Sequence, residues 1–159
     1  MTRLHVPVPL RWGDLDAFGH VNNVTMARVL EEARVRAFFL TDDSGDDAPP
    51  TAVLGPEVLG SLDGVLTLIA RQSIEYLRPV PYQHRPLDVQ LWLGRLGGSS
   101  MELSYEVHGP REDPEAALYV RAQAIIVMVD ATSGRPVRIT AEQREAWTPF
   151  IEEPVAFSR

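Results

Sequence analysis

Alternating and continuous apolar segments along the chain predict five β-strands. Residues 4–10 alternate around two prolines, and because proline cannot donate to a β-ladder, this segment is predicted as an edge strand. Four later segments are strand-sized and are separated by turn-like sequences. They cover residues 65–77, 87–93, 101–107 and 118–129. The last of the four is almost entirely apolar, which is typical of a central strand buried on both faces.

Between the first and second predicted strands, the apolar positions recur at the spacing of a helix. The apolar stripe consists of Met26, Leu30, Ala33, Ala37 and Leu40. We therefore predict a helix over residues 23–40, about 26 Å long, with Asn22 or Asn23 as its N-cap. Glu31 and Glu32 are predicted to pair with nearby arginines on its exposed side.

The predicted elements follow the order of one strand, one long helix and four strands, which indicates an α+β fold. Residues 41–50 (TDDSGDDAPP) are predicted to form a solvated loop, and residues 51–64 are ambiguous because glycines and a proline interrupt them. A short helix is predicted after Thr140, which is spaced from Gln143 as in a capping box. We expect a single domain over residues 1–159, with a core in 4–130 and a short helix and tail in 138–159.

Composition excludes several classes of function. The chain has 159 residues with ordinary hydrophobic (45%) and charged (23%) content, so a single folded domain is expected. There is no cysteine, which excludes disulfides, thiol nucleophiles and thiolate metal sites. The net charge is −7 and the fifteen basic residues are scattered arginines, so no basic stripe for nucleic acid is predicted. We see no signal peptide or membrane-spanning run, and we expect a cytoplasmic location.

Polar groups are concentrated in the loop that leads into the predicted helix. Asp14 and Asp16 are followed closely by His20 and Asn22, and the loop ends at a helix N-terminus, whose free N–H groups attract anions. A carboxylate there can act as a general base or attack an acyl carbon directly, and the N–H groups can stabilise an oxyanion. Turn and cap roles explain the same residues at least as well.

The sequence gives weaker support for a metal site, for a phosphate-binding turn and for a serine nucleophile. His20 alone is more often a structural residue, and the remaining histidines are too dispersed to complete a metal site, so no metal is expected. The glycine-rich turn at residues 94–100 (GRLGGSS) can offer N–H groups to a phosphate, although most such turns are only turns. The absence of GxSxG disfavours a serine hydrolase.

Three segments together carry a resemblance to a known family. GDLDAFGHVNN at residues 13–23, followed by LEEAR at 30–34, resembles the signature of the 4-hydroxybenzoyl-CoA thioesterase-like acyl-CoA thioesterases of the hotdog fold. Tyr76-Leu77-Arg78-Pro79 resembles the family's Y-x-R-P motif, and the glycine-rich turn resembles its hairpin between the third and fourth strands. The matches keep the family's order and extend to about residue 129.

The resemblance implies a long central helix wrapped by an antiparallel sheet of about five strands. It also implies dimers joined edge to edge, often paired into tetramers, with active sites between subunits and no cofactor. The family's catalytic aspartate matches Asp16, and the N–H near Asn23 matches the group that polarises the thioester carbonyl. His20 and Asn22 would shape the loop, and a direct part for either stays open.

The predicted function is hydrolysis of an acyl-CoA thioester to a free acid and coenzyme A. Contacts with the substrate are expected from Asn22 and Arg78, and the phosphates would lie near the hairpin, with Arg95, Ser99 and Ser100 as candidates. One alternative is an acyl-carrier-protein thioesterase, and another is a non-catalytic acyl-CoA-binding protein. A hotdog dehydratase is less well supported, because its Asp-His arrangement is not evident. The acyl group cannot be read from the sequence.

Overall fold

The computed structural model describes residues 2–55 and 64–158, which form one antiparallel sheet with a helix packed on one face. The sheet has five strands in the order β1-β3-β4-β5-β2, and every neighbouring pair is antiparallel. The strands are β1 (Leu4–Val8), β2 (Val65–Tyr76), β3 (Leu87–Leu96), β4 (Ser100–His108) and β5 (Leu118–Asp130). The five predicted strands are confirmed to within a few residues, and β1 is an edge strand as its prolines indicated.

The prediction that the last strand is buried on both faces is wrong. β5 lies between β4 and the edge strand β2, and its residues alternate between buried and half-buried. Val120, Ala122, Ala124 and Ile126 are buried on the face that carries the helix. We call this face of the sheet the inner face and the opposite one the outer face.

Helix α1 covers Asn23–Phe38, two residues shorter than predicted. Asn22 is its N-cap, and the buried side chains Met26, Leu30, Ala33 and Ala37 confirm the predicted stripe. Leu40 lies outside the helix, because Phe39 forms a parallel bridge with Leu54 and the Leu40 N–H donates to the Leu54 carbonyl over 2.7 Å. On the exposed side, Glu31 pairs with Arg34 and Glu32 with Arg36, as predicted.

The loop after α1 is mostly exposed and contains a short 3-10 helix at Gly45–Asp47. Of the ambiguous segment 51–64, residues 56–63 lie outside the described part of the chain. Thr51 is fully buried, and its carbonyl accepts a hydrogen bond of 2.9 Å from the indole of Trp147. This bond ties the segment after α1 to the C-terminal helix.

Helix α2 covers Ala141–Trp147 and begins with the predicted capping box between Thr140 and Gln143. Trp147 is buried against the ring of Phe38, at the end of α1. We call residues 151–158 the C-terminal segment. It begins with a bridge between Ile151 and Leu93 and then crosses the outer face of the sheet. Within the described ranges, no helix has the length and apolar character needed to cross a bilayer.

Candidate active site

The loop before α1 is a small hairpin that fixes the position of Asp16. Leu15 and Val21 form an antiparallel bridge, and the Asp16 N–H donates to the His20 carbonyl over 2.9 Å. Gly19 closes the turn with a φ of +77°, a backbone conformation that favours glycine. The chain then passes directly into the first turn of α1, so this hairpin adjoins the start of the helix.

The two aspartates of the loop have different environments. Asp14 is 5% exposed, and it accepts the Arg11 N–H over 2.7 Å and pairs with the Arg11 guanidinium at 3.1 Å. Asp16 is half-buried, and only its Oδ1 is engaged within the described residues, by the N–H groups of Phe18 (2.8 Å) and His20 (3.4 Å). Asp14 is therefore neutralised by its partner, whereas Asp16 keeps one carboxylate oxygen available.

The start of α1 presents backbone donors. The Asn22 side chain accepts the Val24 N–H over 2.8 Å. The N–H of Asn23, the first helical residue, has no acceptor inside the helix, because helix geometry leaves the first N–H groups unpaired. The Asn23 carbonyl accepts the hydroxyl of Tyr76 from β2 over 3.0 Å. A free N–H at the positive end of the helix can therefore bind a developing negative charge.

His20 is exposed, and its backbone bridges to Pro81. This arrangement fits a role in holding the loop. Across residues 2–55 and 64–158, no group of three or more potential metal-ligating side chains comes together.

An apolar cavity of about 270 Å³ lies between the start of α1 and the end of β2. Partial burial there raises the pKa of the Tyr76 hydroxyl above its ordinary value. The structure places the predicted residue Arg78 in the lining of this cavity, away from the hairpin. The lining residues are Val21, Met26, Tyr76, Leu77, Arg78, Pro79 and Val80.

A second cavity, of about 280 Å³, lies at the hairpin between β3 and β4. It brings together two of the predicted residues, Arg95 and Ser100, while Ser99 is absent from its lining and accepts the Met128 N–H through its carbonyl. Arg71 also lines this cavity and was missed by the sequence prediction. A register shift between Ile69 and Arg71 places Arg71 opposite Ile125, on the outer face, where strict alternation would have put it on the inner face.

Within one copy of the chain, the two cavities are at opposite ends of β2. Ser100 pairs with Val127, which pairs with Leu68, so the hairpin lies level with Leu68. Tyr76 is eight residues further along β2, which corresponds to roughly 26 Å of strand. A single copy therefore does not bring the hairpin cavity close to the Asp16 loop.

Comparison with known proteins places the chain in a family. Residues 10–147 match the model of the thioesterase-like superfamily. The Bacillus subtilis protein YsmA is 28% identical over 139 residues, which cover 87% of this chain and 80% of YsmA.

Two solved structures combine a similar fold with detectable sequence identity. PA2801 from Pseudomonas aeruginosa, which is assigned as a thioesterase, is 30% identical with a TM-score of 0.69, over 91% of this chain and 98% of PA2801. A thioesterase from Thermus thermophilus, solved in complex with coenzyme A and Zn, is 25% identical with a TM-score of 0.65, over 92% of both chains. The chain thus belongs to the thioesterase-like superfamily, and it is a thioester hydrolase with the hotdog fold.

Proposed function

We propose that the substrate of this thioesterase is an acyl-CoA and that Asp16 is its catalytic carboxylate. The observation that supports this assignment is the contrast between the two aspartates of the loop. Asp14 is buried and paired with Arg11, whereas one carboxylate oxygen of Asp16 has no partner among residues 2–55 and 64–158. Of the two, Asp16 alone keeps an available carboxylate oxygen within the described residues, in the hairpin that leads into the helix start.

The proposed reaction adds water to the acyl carbon and breaks its bond to sulfur, releasing a carboxylic acid and the thiol of coenzyme A. Asp16 either removes a proton from the attacking water or attacks the carbonyl itself. In the second case the C–S bond breaks, coenzyme A leaves as its thiolate and takes up a proton, and water opens the resulting anhydride. The Asn23 N–H and the dipole of α1 stabilise the oxyanion. Asn22 orients that N–H by capping the helix, and His20 holds the loop.

We infer that the complete site needs two copies of the chain. β2 is an edge strand, and its apolar residues Leu68 and Ile69 are 49% and 40% exposed. Antiparallel pairing of β2 with its own copy would cover them and would bring the Tyr76 end of one copy beside the hairpin cavity of the other. In such a pair, α1 becomes the long central helix wrapped by a continuous sheet.

The hairpin cavity fits the phosphates of coenzyme A in this arrangement. Arg71 and Arg95 can form paired hydrogen bonds with phosphate oxygens, and the Ser100 hydroxyl can add another. Arg78 would contact the part of the substrate that enters the apolar cavity. The relative from Thermus thermophilus, which was solved with coenzyme A, supports this class of substrate.

An acyl carrier protein is the alternative carrier of the acyl group. A groove beside α1 contains Arg11, Arg28 and Arg36, the kind of basic surface that an acidic carrier protein would need. Arg11 pairs with Asp14 and Arg36 with Glu32, so little net positive charge remains. This pairing favours coenzyme A.

Three further expectations remain predictions. They are a tetramer formed by a pair of dimers, a cytoplasmic location and a single domain over the whole chain.

The test of the substrate class is thiol release from a panel of short, long, branched and aromatic acyl-CoAs, compared with acyl carrier protein thioesters.

Asp16→Asn is expected to reduce kcat by roughly 10²–10⁴-fold, because asparagine can neither accept the proton nor attack the carbonyl. Asp42→Asn makes the same chemical change in the exposed loop after α1 and serves as the matched control. Near-normal activity of Asp16→Asn would remove the mechanism. Thermal stabilisation by coenzyme A without turnover would instead favour a binding protein.

A further inference from the structure

The C-terminal segment is fastened to the outer face by contacts with successive strands. On β3, the Glu152 N–H donates to the Leu93 carbonyl over 2.9 Å, and the Trp92 indole donates to the Glu153 carbonyl over 2.8 Å. On β4, the Ser104 hydroxyl accepts the Val155 N–H over 3.1 Å. Trp92 and Ser104 are almost fully buried, although both point away from the main core.

An arginine from the first strand region strengthens this attachment. The Arg3 guanidinium lies 3.8 Å from the centre of the Trp92 ring and pairs with Glu152 at 2.7 Å. Burial lowers the pKa of Arg3, but bonds to Glu152 and Glu106 outweigh it, so the net shift is upward and the charge is retained. The segment is therefore held by apolar, polar and charged contacts together.

The segment ends at the strand that carries Tyr76. The Ser158 N–H donates to Oε1 of Glu75 over 2.8 Å, after the segment has crossed β3 and β4. Oε2 of Glu75 is buried and has no hydrogen-bond partner within the described residues, so the Ser158 contact is an important one for this carboxylate. The next residue, Tyr76, donates its hydroxyl to the carbonyl of Asn23.

We propose that the C-terminal segment positions the catalytic helix start through Glu75 and Tyr76. The segment fixes the end of β2 from the outer face, and Tyr76 fixes the first turn of α1 from the inner face. Tyr76 is a positioning residue in this proposal, because its hydroxyl donates to the backbone carbonyl of Asn23. Tyr76 also lines the apolar cavity, and Tyr76→Phe keeps the ring there while removing the hydroxyl. The proposal rests on the proposed function in that the Asn23 N–H is taken as the oxyanion donor.

The expected consequence is an effect on kcat more than on KM. A displacement of about 1 Å between the oxyanion donor and the reacting carbonyl weakens transition-state stabilisation strongly. Binding of coenzyme A relies on Arg71, Arg95 and Ser100 of the hairpin cavity, which variants of Tyr76 or of the C-terminal segment leave unchanged, and would change little. A residue that served only global stability would not produce this separation of kcat from KM.

Two pairs of variants test the two links. Tyr76→Phe removes the hydroxyl, and Tyr119→Phe makes the same change at a half-buried tyrosine on β5. Ser158→Pro removes the N–H that Glu75 accepts, and Ser158→Ala keeps it. We expect Tyr76→Phe and Ser158→Pro to lower kcat on the order of tenfold, with KM within about twofold, and both controls to match the wild type.

Glu75 provides a further check, because Glu75→Gln retains an acceptor for the Ser158 N–H and Glu75→Ala does not. Retained kcat in Glu75→Gln together with loss in Glu75→Ala supports the proposal, and equal behaviour of the two contradicts it.

Hydrogen exchange separates this inference from the proposed function. Tyr76→Phe and Ser158→Pro should speed amide exchange in the first turn of α1, and the controls should not. If the wild type hydrolyses no thioester, the proposed function fails while exchange still tests the link. If the wild type is active and both Tyr76→Phe and Ser158→Pro share its kcat and exchange rates, the inference is overturned.

Discussion

At the scale of single residues, the two aspartates of the loop show how burial and pairing divide similar side chains between roles. The buried carboxylate of Asp14 accepts the Arg11 N–H and pairs with the Arg11 guanidinium. These two contacts hold the loop against the residues that precede it. Asp16 uses one oxygen to close its turn, and its other oxygen has no partner in the part of the chain that the structure describes. Asp14 therefore has a structural role, and the chemistry is proposed for Asp16, two residues further along the chain.

Asp14→Ala is predicted to lower stability. The Arg11 N–H would lose its hydrogen bond to the buried Asp14 carboxylate, which costs about 1–3 kcal/mol and lowers Tm by several degrees. Thermal unfolding followed by circular dichroism measures the effect, with Asp42→Ala as the control. An unchanged Tm would show that the Arg11–Asp14 contact contributes nothing to the loop.

Capping residues could be predicted from the sequence, whereas contacts between residues far apart in the chain could not. Residue types at short spacing predicted the Thr140–Gln143 capping box and an asparagine N-cap at residue 22 or 23, which the structure resolves as Asn22. The choice between Asp14 and Asp16 needed either the family resemblance or the burial of each side chain. The Tyr76–Asn23 contact joins residues 53 positions apart, and no local pattern indicates it.

At the scale of elements, periodicity predicted the strands and α1 well and failed where the ladder is irregular. The bulge in β2 moves Arg71 to the outer face, so counting alternate positions assigns it to the wrong side. The C-terminal segment has no periodic pattern, and its anchors Trp92 and Ser104 belong to strands far away in the sequence. Its path could be known only from the folded chain.

The turn after β5 is predicted to make stability depend on pH in the acid range. Hydrogen bonds from the Ser133 N–H and hydroxyl lower the pKa of Asp130 below its ordinary value. A lowered folded pKa contributes stability above the unfolded pKa, about 4, which is lost as pH falls through the folded value. Asp130→Ala should therefore lower Tm at neutral pH, and the difference from wild type should shrink at acid pH. A difference independent of pH would contradict this assignment.

At the scale of the whole molecule, the proposed site requires a dimer joined through β2. Leu68 and Ile69 are exposed on an edge strand, a surface that a second copy would cover. In one copy, Asp16 and the hairpin lie far apart, because the register of β2, β5 and β4 sets their separation. The structure of a single copy therefore does not bring them into one site. The family resemblance supplied the expectation of shared sites, and the strand register supports the proposal that two copies share one site.

Leu68→Lys together with Ile69→Lys is predicted to convert the dimer to a monomer. Two charges on the paired edge would oppose its burial, so the monomer should remain folded and lose most thioesterase activity. Sedimentation velocity and thiol release measure the two effects, and Asp42→Lys is the control for added charge. A variant that stays dimeric, or a fully active monomer, would contradict the account.

The most direct test of the shared site is complementation in mixed dimers. Asp16→Asn lacks the carboxylate, and a second variant with Arg71→Ala and Arg95→Ala lacks the hairpin arginines. In a dimer of the two, one site combines both defects and the other combines intact Asp16 with intact arginines. After co-expression and mixing at equal amounts, activity at low acyl-CoA concentration should reach about a quarter of the wild-type value, because half of the dimers are mixed and each holds one intact site. Activity no higher than the average of the two parent variants would contradict a site built from two copies.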